Sequence, residues 1–122
     1  MSRNFQKQSN EQLVEAFAEL AREQGEALKE GNSKKANRRT ELIDTTFAEM
    51  KERGPEAWKQ FLFLLSHAEG YVRYFAAVYA LRSNPNLALP VLERLDREER
   101  GLLAFRAGQA LKQWREDKWI LP

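Results

Sequence analysis

The chain repeats one alanine-rich segment about 30 residues apart, and this repeat limits the folds open to it. Residues 71–81 align with residues 101–111, and the matched apolar pairs are Val72/Leu102, Phe75/Phe105, Ala77/Ala107, Ala80/Ala110 and Leu81/Leu111. Repeats of about this length are typical of stacked helix pairs, in which small side chains let neighbouring helices approach closely. Coincidence between two alanine-rich amphipathic helices would account for part of the match.

Helical spacing of apolar residues recurs along the whole chain, and no segment alternates at period two for long. Ser9 and Gln12 have the spacing of a capping box, and Gly54-Pro55 has the pattern of one helix ending where the next begins. The third helix is apolar on most sides and is expected to be central. Pro90 is expected in a first turn. We predict helices from Ser9 onward and over residues 33–53, 56–66, 71–83, 87–97 and 99–115, all within one domain 1–122, with residues 1–8 flexible and 116–122 as a tail.

A family resemblance supports this fold. Residues 64–73, followed by Ala76-Ala77 and Ala80-Leu81, resemble a HEAT repeat, and together with residues 13–17 and 34–38 they are similar to a bacterial family of small HEAT-like proteins. That family is known as a domain of unknown function, number two thousand and nineteen. The resemblance implies an all-α, HEAT/armadillo-like right-handed solenoid of about six antiparallel helices. It also implies a functional expectation, since some small HEAT-like bacterial proteins are immunity proteins that neutralise a neighbouring toxin.

Composition narrows the class of protein. The net charge is +2, from 20 basic and 18 acidic residues, which does not create the concentrated positive field that nucleic-acid binding favours. The chain has no cysteine, which excludes disulfides and thiol catalysis. No leader-like apolar run opens the sequence, and the longest apolar run, residues 61–65, is too short to cross a bilayer. We therefore expect a cytoplasmic protein with no cofactor.

Catalytic motifs are missing from the sequence. The single histidine, His67, lies in a turn with only Glu69 nearby, and one histidine makes neither a catalytic triad nor a metal site. We expect it to satisfy backbone groups of that turn. No phosphate-binding loop or hydrolase motif is present, so we expect neither an enzyme nor a metal-binding protein.

A basic cluster on the second predicted helix raises a nucleic-acid alternative. It consists of Lys34, Lys35, Arg38 and Arg39, which are spaced to form a compact patch that can meet phosphates. The neighbouring first helix is acidic, however. We expect these residues to pair with Glu19, Glu23 or Glu26 across the helical hairpin, which disfavours nucleic acid as the partner.

Aromatic and basic side chains offer better candidates for protein binding. On the fourth helix, the side opposite the predicted core carries Tyr71, Tyr74, Val78 and Arg82, and tyrosine and arginine are enriched in interface hot spots. On the last helix, Ala104, Gly108 and Lys112 form a small-residue stripe that suits close approach by a partner or by a second copy in a homodimer. Trp114 and Trp119 are either further anchors or caps on the core.

These observations favour a protein-interaction module. The sequence predicts, in its most specific form, an immunity protein that inhibits a cognate bacterial toxin by occluding it. The binding residues would be Tyr71, Tyr74, Val78, Arg82, Lys112 and Trp114. The alternative is a nucleic-acid-binding HEAT-like protein that uses the basic cluster.

Overall fold

The computed structural model of the chain describes residues 4–121, and these residues form six α-helices and no strand. The helices are α1 Asn10–Lys29, α2 Ser33–Arg53, α3 Pro55–Leu62, α4 Gly70–Ala80, α5 Pro85–Glu98 and α6 Gly101–Arg115. Two short 3-10 segments accompany them, Phe5–Lys7 and Phe63–Ser66. The predicted all-α class is confirmed. The helices group into two compact units, one up to Leu64 and one from Leu65 onward.

The helix boundaries of the N-terminal unit follow from local chemistry. The Ser9 hydroxyl accepts a hydrogen bond from the Gln12 amide at 3.1 Å, and the Gln12 side chain accepts one from the Ser9 amide at 2.9 Å. This is the predicted capping box. Asn32 caps α2 by accepting from the Lys35 amide at 3.1 Å. Gly54 adopts a φ of 96°, which favours glycine, and Pro55 opens α3 at once.

An aromatic cluster forms the core of the N-terminal unit. Phe17 of α1 meets Phe61 of α3 edge-on at 4.9 Å between ring centroids. Phe47 of α2 contacts Phe61 at 5.9 Å and Trp58 at 5.7 Å, again in edge-on geometry. Such pairs contribute about 0.5–1.5 kcal/mol each beyond the burial of their area. Three helices therefore meet at the Phe61 ring.

The third helix is shorter than predicted and does not bury all its sides. It is α-helical only to Leu62 and continues as a 3-10 segment, Phe63–Ser66. The tighter 3-10 spacing of about three residues per turn brings Leu64 under Phe61. Phe63 is left 69% exposed, whereas Leu64 is buried. The expectation that the third helix is central agrees with Phe61, where three helices meet, but not with Phe63, which faces solvent.

One arginine fastens the start of the described chain to the N-terminal unit. Arg53, at the end of α2, donates to the carbonyl oxygens of Phe5 and Gln6 at 3.1 and 3.2 Å and pairs with Glu49 at 2.8 Å. Phe5 is buried. Of the segment predicted to be flexible, residues 1–3 lie outside the described residues, while Phe5–Lys7 forms a 3-10 turn held by Arg53.

Small side chains form much of the core of the C-terminal unit. The repeat pairs Ala77/Ala107, Ala80/Ala110 and Leu81/Leu111 are all buried, as a shared packing pattern requires. Gly70 opens α4 against α6, since a Cβ at this position would lie 2.7 Å from Leu103 Cδ2. Alanine and glycine let the three helices α4, α5 and α6 pack closely around one another.

Helix α5 begins earlier than predicted. Pro85 occupies its first position, where a missing amide hydrogen costs nothing. Pro90 therefore lies beyond the first turn, inside the helix, and cannot donate to the carbonyl four residues before it. The expectation that Pro90 lies in the first turn is wrong.

Across residues 4–121, we find no helix with the length and apolar character needed to traverse a membrane.

Candidate protein-binding surface

An arginine on α6 lies against three aromatic rings of α4. The Arg106 guanidinium is 4.7 Å from the ring centroid of Tyr74, 5.1 Å from that of Phe75 and 5.8 Å from that of Tyr71. Tyr74 and Phe75 also contact each other edge-on at 5.2 Å. A cation above a ring face is attracted by the negative face of the π system. These contacts hold Arg106 and the half-buried Tyr74 in fixed positions at the edge between α4 and α6.

Two large apolar side chains beside Arg106 face solvent. Leu102 is 41% exposed and Phe105 is 63% exposed. Their exposure follows from the other side of the helix, where Leu103, Ala107, Ala110 and Leu111 are buried. We call the set Tyr74, Leu102, Phe105 and Arg106 the α6 surface.

The exposed stripe predicted for α4 is wrong at two of its positions. Tyr71 and Val78 are each 4% exposed, and Tyr74 is only half-buried. Periodicity assigns one buried side to a helix, but α4 is buried around most of its circumference, from Phe75 to Ala80 without a break. Tyr74 is the member of the predicted set that reaches the α6 surface.

Burial also changes the acidity of Tyr74. The pKa of its hydroxyl is raised, because the phenolate would be poorly solvated in this partly buried site. The positive charge of Arg106 acts in the opposite direction and offsets part of this rise. Tyr74 therefore presents a neutral hydroxyl at physiological pH.

The remaining predicted residue of α4, Arg82, anchors the C-terminal tail. Its guanidinium donates to the carbonyl oxygens of Trp119 at 2.8 Å and Leu121 at 2.9 Å. Trp119 packs edge-on against Trp114 at 6.3 Å, and both rings are half-buried. The Trp119 indole nitrogen is buried and makes no hydrogen bond. Trp114 thus contacts the tail of its own chain.

The small-residue stripe of α6 is used inside the C-terminal unit. A Cβ at Gly108 would lie 3.0 Å from Asp96 Oδ1 of α5, so the missing side chain makes room for α5. Ala104 is half-buried, and Lys112 is exposed. Gly108 therefore does not face outward in the way that the predicted homodimer contact requires.

The basic cluster of α2 is partly neutralised, as expected. Arg39 pairs with Glu23 of α1 at 2.6 Å, which confirms pairing across the hairpin. Arg38 pairs with Glu41 of its own helix at 2.9 Å. Lys34 and Lys35 are exposed at the start of the helix. Two of the four predicted cations thus remain available to an external phosphate.

His67 has the structural role that the sequence predicts. Its Nδ1 accepts a hydrogen bond from the Glu69 amide at 3.0 Å. Arg73 donates to the backbone carbonyls of His67 and Ala68 at 2.9 and 3.1 Å, and these bonds fix the turn before α4. Within residues 4–121, no three metal-ligating side chains cluster together.

An open cleft of about 610 Å³ lies between α4 and α5. Its side chains are mostly charged or apolar, and they include Arg73, Arg94, Arg97, Glu98, Pro90 and Val91. Arg73 is 3.5 Å from Glu99, and Arg94 is 3.8 Å from Glu98, so two of its arginines face carboxylates of the same unit.

Sequence reasoning missed Leu102, Phe105 and Arg106. The repeat matches Leu102 and Phe105 to Val72 and Phe75, which are buried, so the match itself gives no sign that the two residues of α6 are exposed.

Comparisons with known proteins agree with the helical fold. The sequence matches the family described as Domain of unknown function (DUF2019) over residues 11–114. A search of curated proteins finds no relative. The crystal structure of the protein RPA1889 from Rhodopseudomonas palustris CGA009 is similar, with a TM-score of 0.86 and 25% sequence identity over 99% of each chain. Because the family match spans most of the sequence, the chain belongs to the DUF2019 family.

Proposed function

We propose that this protein is a protein-binding module and that the α6 surface is its binding site. The observation that carries the proposal is the exposure of Leu102 and Phe105 one turn apart on the same helix. Large apolar side chains that are grouped at a surface mark interaction sites, whereas single exposed ones are ordinary. Burying both against a partner would remove apolar area from water, which favours association.

The neighbouring polar side chains suit an interface hot spot. Arg106 and Tyr74 are residue types that often contribute most of the binding energy. Their contact at 4.7 Å holds both side chains before a partner arrives. A preformed contact reduces the side-chain entropy lost on binding, so more of the interaction energy appears as affinity.

The narrower form of the proposal is an immunity protein. In this form the α6 surface covers the active site of a cognate toxin and acts by steric exclusion, without chemistry of its own. A standard interface buries about 800 Å² per partner, so the exposed side of α6 would supply part of it together with Tyr74 of α4 and neighbouring exposed residues. This form is supported by the small size of the chain and by the functional expectation that its HEAT-like resemblance carries.

The experiment uses one charged substitution and a matched control. Phe105→Asp places a carboxylate in the centre of the α6 surface, while Leu87→Asp changes a residue of α5 that is 51% exposed. Partners are captured from the source organism with the wild type and both variants, and each captured protein is purified for titration calorimetry. We expect Phe105→Asp to weaken binding by about 30-fold or more, and Leu87→Asp to leave it unchanged.

Two outcomes would contradict the proposal. One is a partner that binds all three proteins equally, since the α6 surface would then not be the site. The other outcome is that the same proteins are captured whether or not this protein is present as the bait. For the immunity form, co-expression with the product of a neighbouring gene must restore growth with the wild type and fail to do so with Phe105→Asp.

A further inference from the structure

We infer that the partner docks on α6 through an amphipathic α-helix whose apolar side is flanked by acidic residues. This inference rests on the proposed function and goes beyond it, since it names the shape and the charge of the docking element. It depends on three features of the C-terminal unit, which are the repeat, the course of the exposed residues along α6 and the charge of that helix.

The repeat indicates what is missing beside α6. In α4 the paired positions Val72 and Phe75 are buried at 1% and 4% exposure. In α6 the equivalent Leu102 and Phe105 are exposed, although the other matched positions are buried as in α4. The sequence therefore places core-type residues at positions of α6 that residues 4–121 leave uncovered. A docking helix would complete their burial.

The exposed residues of α6 run along the helix axis. Leu102, Phe105, Gln109 and Lys112 follow at spacings of three and four residues, and all are exposed. They form a ridge of about 15 Å at a rise of 1.5 Å per residue. Such a ridge fits the groove of another helix. A helix also satisfies its own backbone hydrogen bonds, whereas a loop buried on this ridge would leave polar groups without partners.

The charge of α6 indicates the charge of the docking helix. From Gly101 to Arg115, α6 carries no acidic residue and three cations, of which Arg115 lies 3.9 Å from Glu93 of α5 and Arg106 and Lys112 remain. Lys112 lies at the end of the exposed ridge and pairs with no carboxylate among residues 4–121. Arg106 contacts aromatic rings. Acidic residues beside the apolar side of the partner would meet these cations, and basic ones would be repelled.

Two synthetic helices test the inference directly. Both are lactam-stapled peptides of about 18 residues with leucines at helical spacing; one carries glutamates beside the leucines and the other carries lysines there. Binding of each labelled peptide is measured by fluorescence anisotropy near 150 mM salt. We expect the acidic peptide to bind at least about 10-fold more tightly than the basic one.

Variants of the protein locate the site. Phe105→Asp is expected to abolish binding of the acidic peptide, and Leu87→Asp to leave it unchanged. Lys112→Glu is expected to weaken the acidic peptide and strengthen the basic one, which a merely destabilised protein would not do. Circular dichroism confirms that each variant is folded.

The results separate this inference from the proposed function. Equal affinity for the two peptides, or binding that survives Phe105→Asp, would overturn the acidic-helix inference. If capture of a natural partner still required Phe105, the proposed function would stand although the acidic-helix inference had failed. Sedimentation of the protein alone gives a further outcome: a dimer that Phe105→Asp dissociates would assign the surface to a second copy and would also overturn the inference.

Discussion

The two compact units use arginine and aromatic residues in different ways. In the N-terminal unit the rings pack on one another, and arginines pair with carboxylates: Arg22 with Glu19 and Glu26, Arg38 with Glu41, Arg39 with Glu23 and Arg53 with Glu49. In the C-terminal unit, arginines also pair with carboxylates, Arg73 with Glu99, Arg94 with Glu98 and Arg115 with Glu93, but Arg106 lies against three aromatic rings. Both units therefore pair arginines with carboxylates, and the C-terminal unit differs in having an arginine that lies against rings beside exposed apolar side chains.

Large exposed apolar side chains are concentrated in the C-terminal unit. Of the large apolar side chains that face solvent, Leu87, Leu102, Phe105 and Ile120 belong to the C-terminal unit, and only Phe63 belongs to the described part of the N-terminal unit. We therefore expect the proposed binding site on the C-terminal unit, and four predictions test the contrast between the two units.

The largest effect is expected in the aromatic core of the N-terminal unit. Phe61→Ala removes a fully buried ring that contacts Phe17, Phe47 and Trp58. We expect a loss of about 3–5 kcal/mol in the free energy of unfolding, measured by urea denaturation. Phe63→Ala is the control, since that ring is exposed, and its effect should stay within about 0.5 kcal/mol.

Amide hydrogen exchange of Phe61→Ala sharpens the result. If amides of both units lose protection equally, the chain unfolds as the single domain that the sequence predicts. If protection falls only in α1, α2 and α3, the two units unfold separately, and the prediction of one domain is wrong.

The two arginines that hold chain ends should differ in their effect. Arg53→Ala removes two bonds to carbonyls and leaves Glu49, whose side chain is only 17% exposed, without its pair. We expect a loss of about 2–3 kcal/mol. Arg82→Ala breaks two exposed bonds, and we expect about 1 kcal/mol or less. Urea denaturation measures the free energy of unfolding of both variants. Equal losses in the two variants would contradict the expected difference between Arg53 and Arg82.

High pH should act on the C-terminal unit through Tyr74. An unfolded tyrosine loses its proton near pH 10, whereas burial keeps the folded Tyr74 protonated to higher pH. The unfolded state is thus favoured as pH rises from about 10 through the raised pKa. Below that window Tyr74 is neutral in both states and adds no pH dependence.

The variant Tyr74→Phe removes this contribution. We expect its unfolding free energy to fall less than that of the wild type between about pH 8 and pH 11, as measured by urea denaturation at each pH. Parallel declines in the two proteins would show that Tyr74 does not titrate differently on unfolding.

The smallest effect is expected at Lys34 and Lys35. Replacing both by glutamine should change the unfolding free energy by no more than about 0.5 kcal/mol. A titration with duplex DNA at low and moderate salt tests the nucleic-acid alternative. With Arg38 and Arg39 in ion pairs, we expect no binding that depends on salt. A slope that corresponds to more than about two phosphate contacts would favour the alternative.

Local signals in the sequence were sufficient for the presence of the six helices and for some of their ends. The capping box of Ser9, the break at Gly54-Pro55 and the turn role of His67 depend on residues within three positions of one another, so spacing alone predicts them. The pair Arg39–Glu23 was also predictable, because a short connection places α1 beside α2.

The binding surface was harder to predict, because it depends on neighbours distant in sequence. A helical period predicts one buried side, but it cannot show that Tyr71 and Val78 are covered as well. The repeat gives no warning at Phe105, since the matched phenylalanines of the two helices have different surroundings and only Phe75 is buried. Whether a side chain is exposed depends on the helix that packs beside it. The sequence pattern of a single helix does not show which helix that is.

The contact of Arg82 with the tail has an evolutionary consequence. Its two hydrogen bonds go to carbonyl oxygens of Trp119 and Leu121, which every amino acid supplies. The side chain between them, Ile120, is 88% exposed and is not needed for this anchor. Substitutions at Ile120 can therefore accumulate without releasing the tail, so the surface chemistry of this segment is free to change while its position stays fixed.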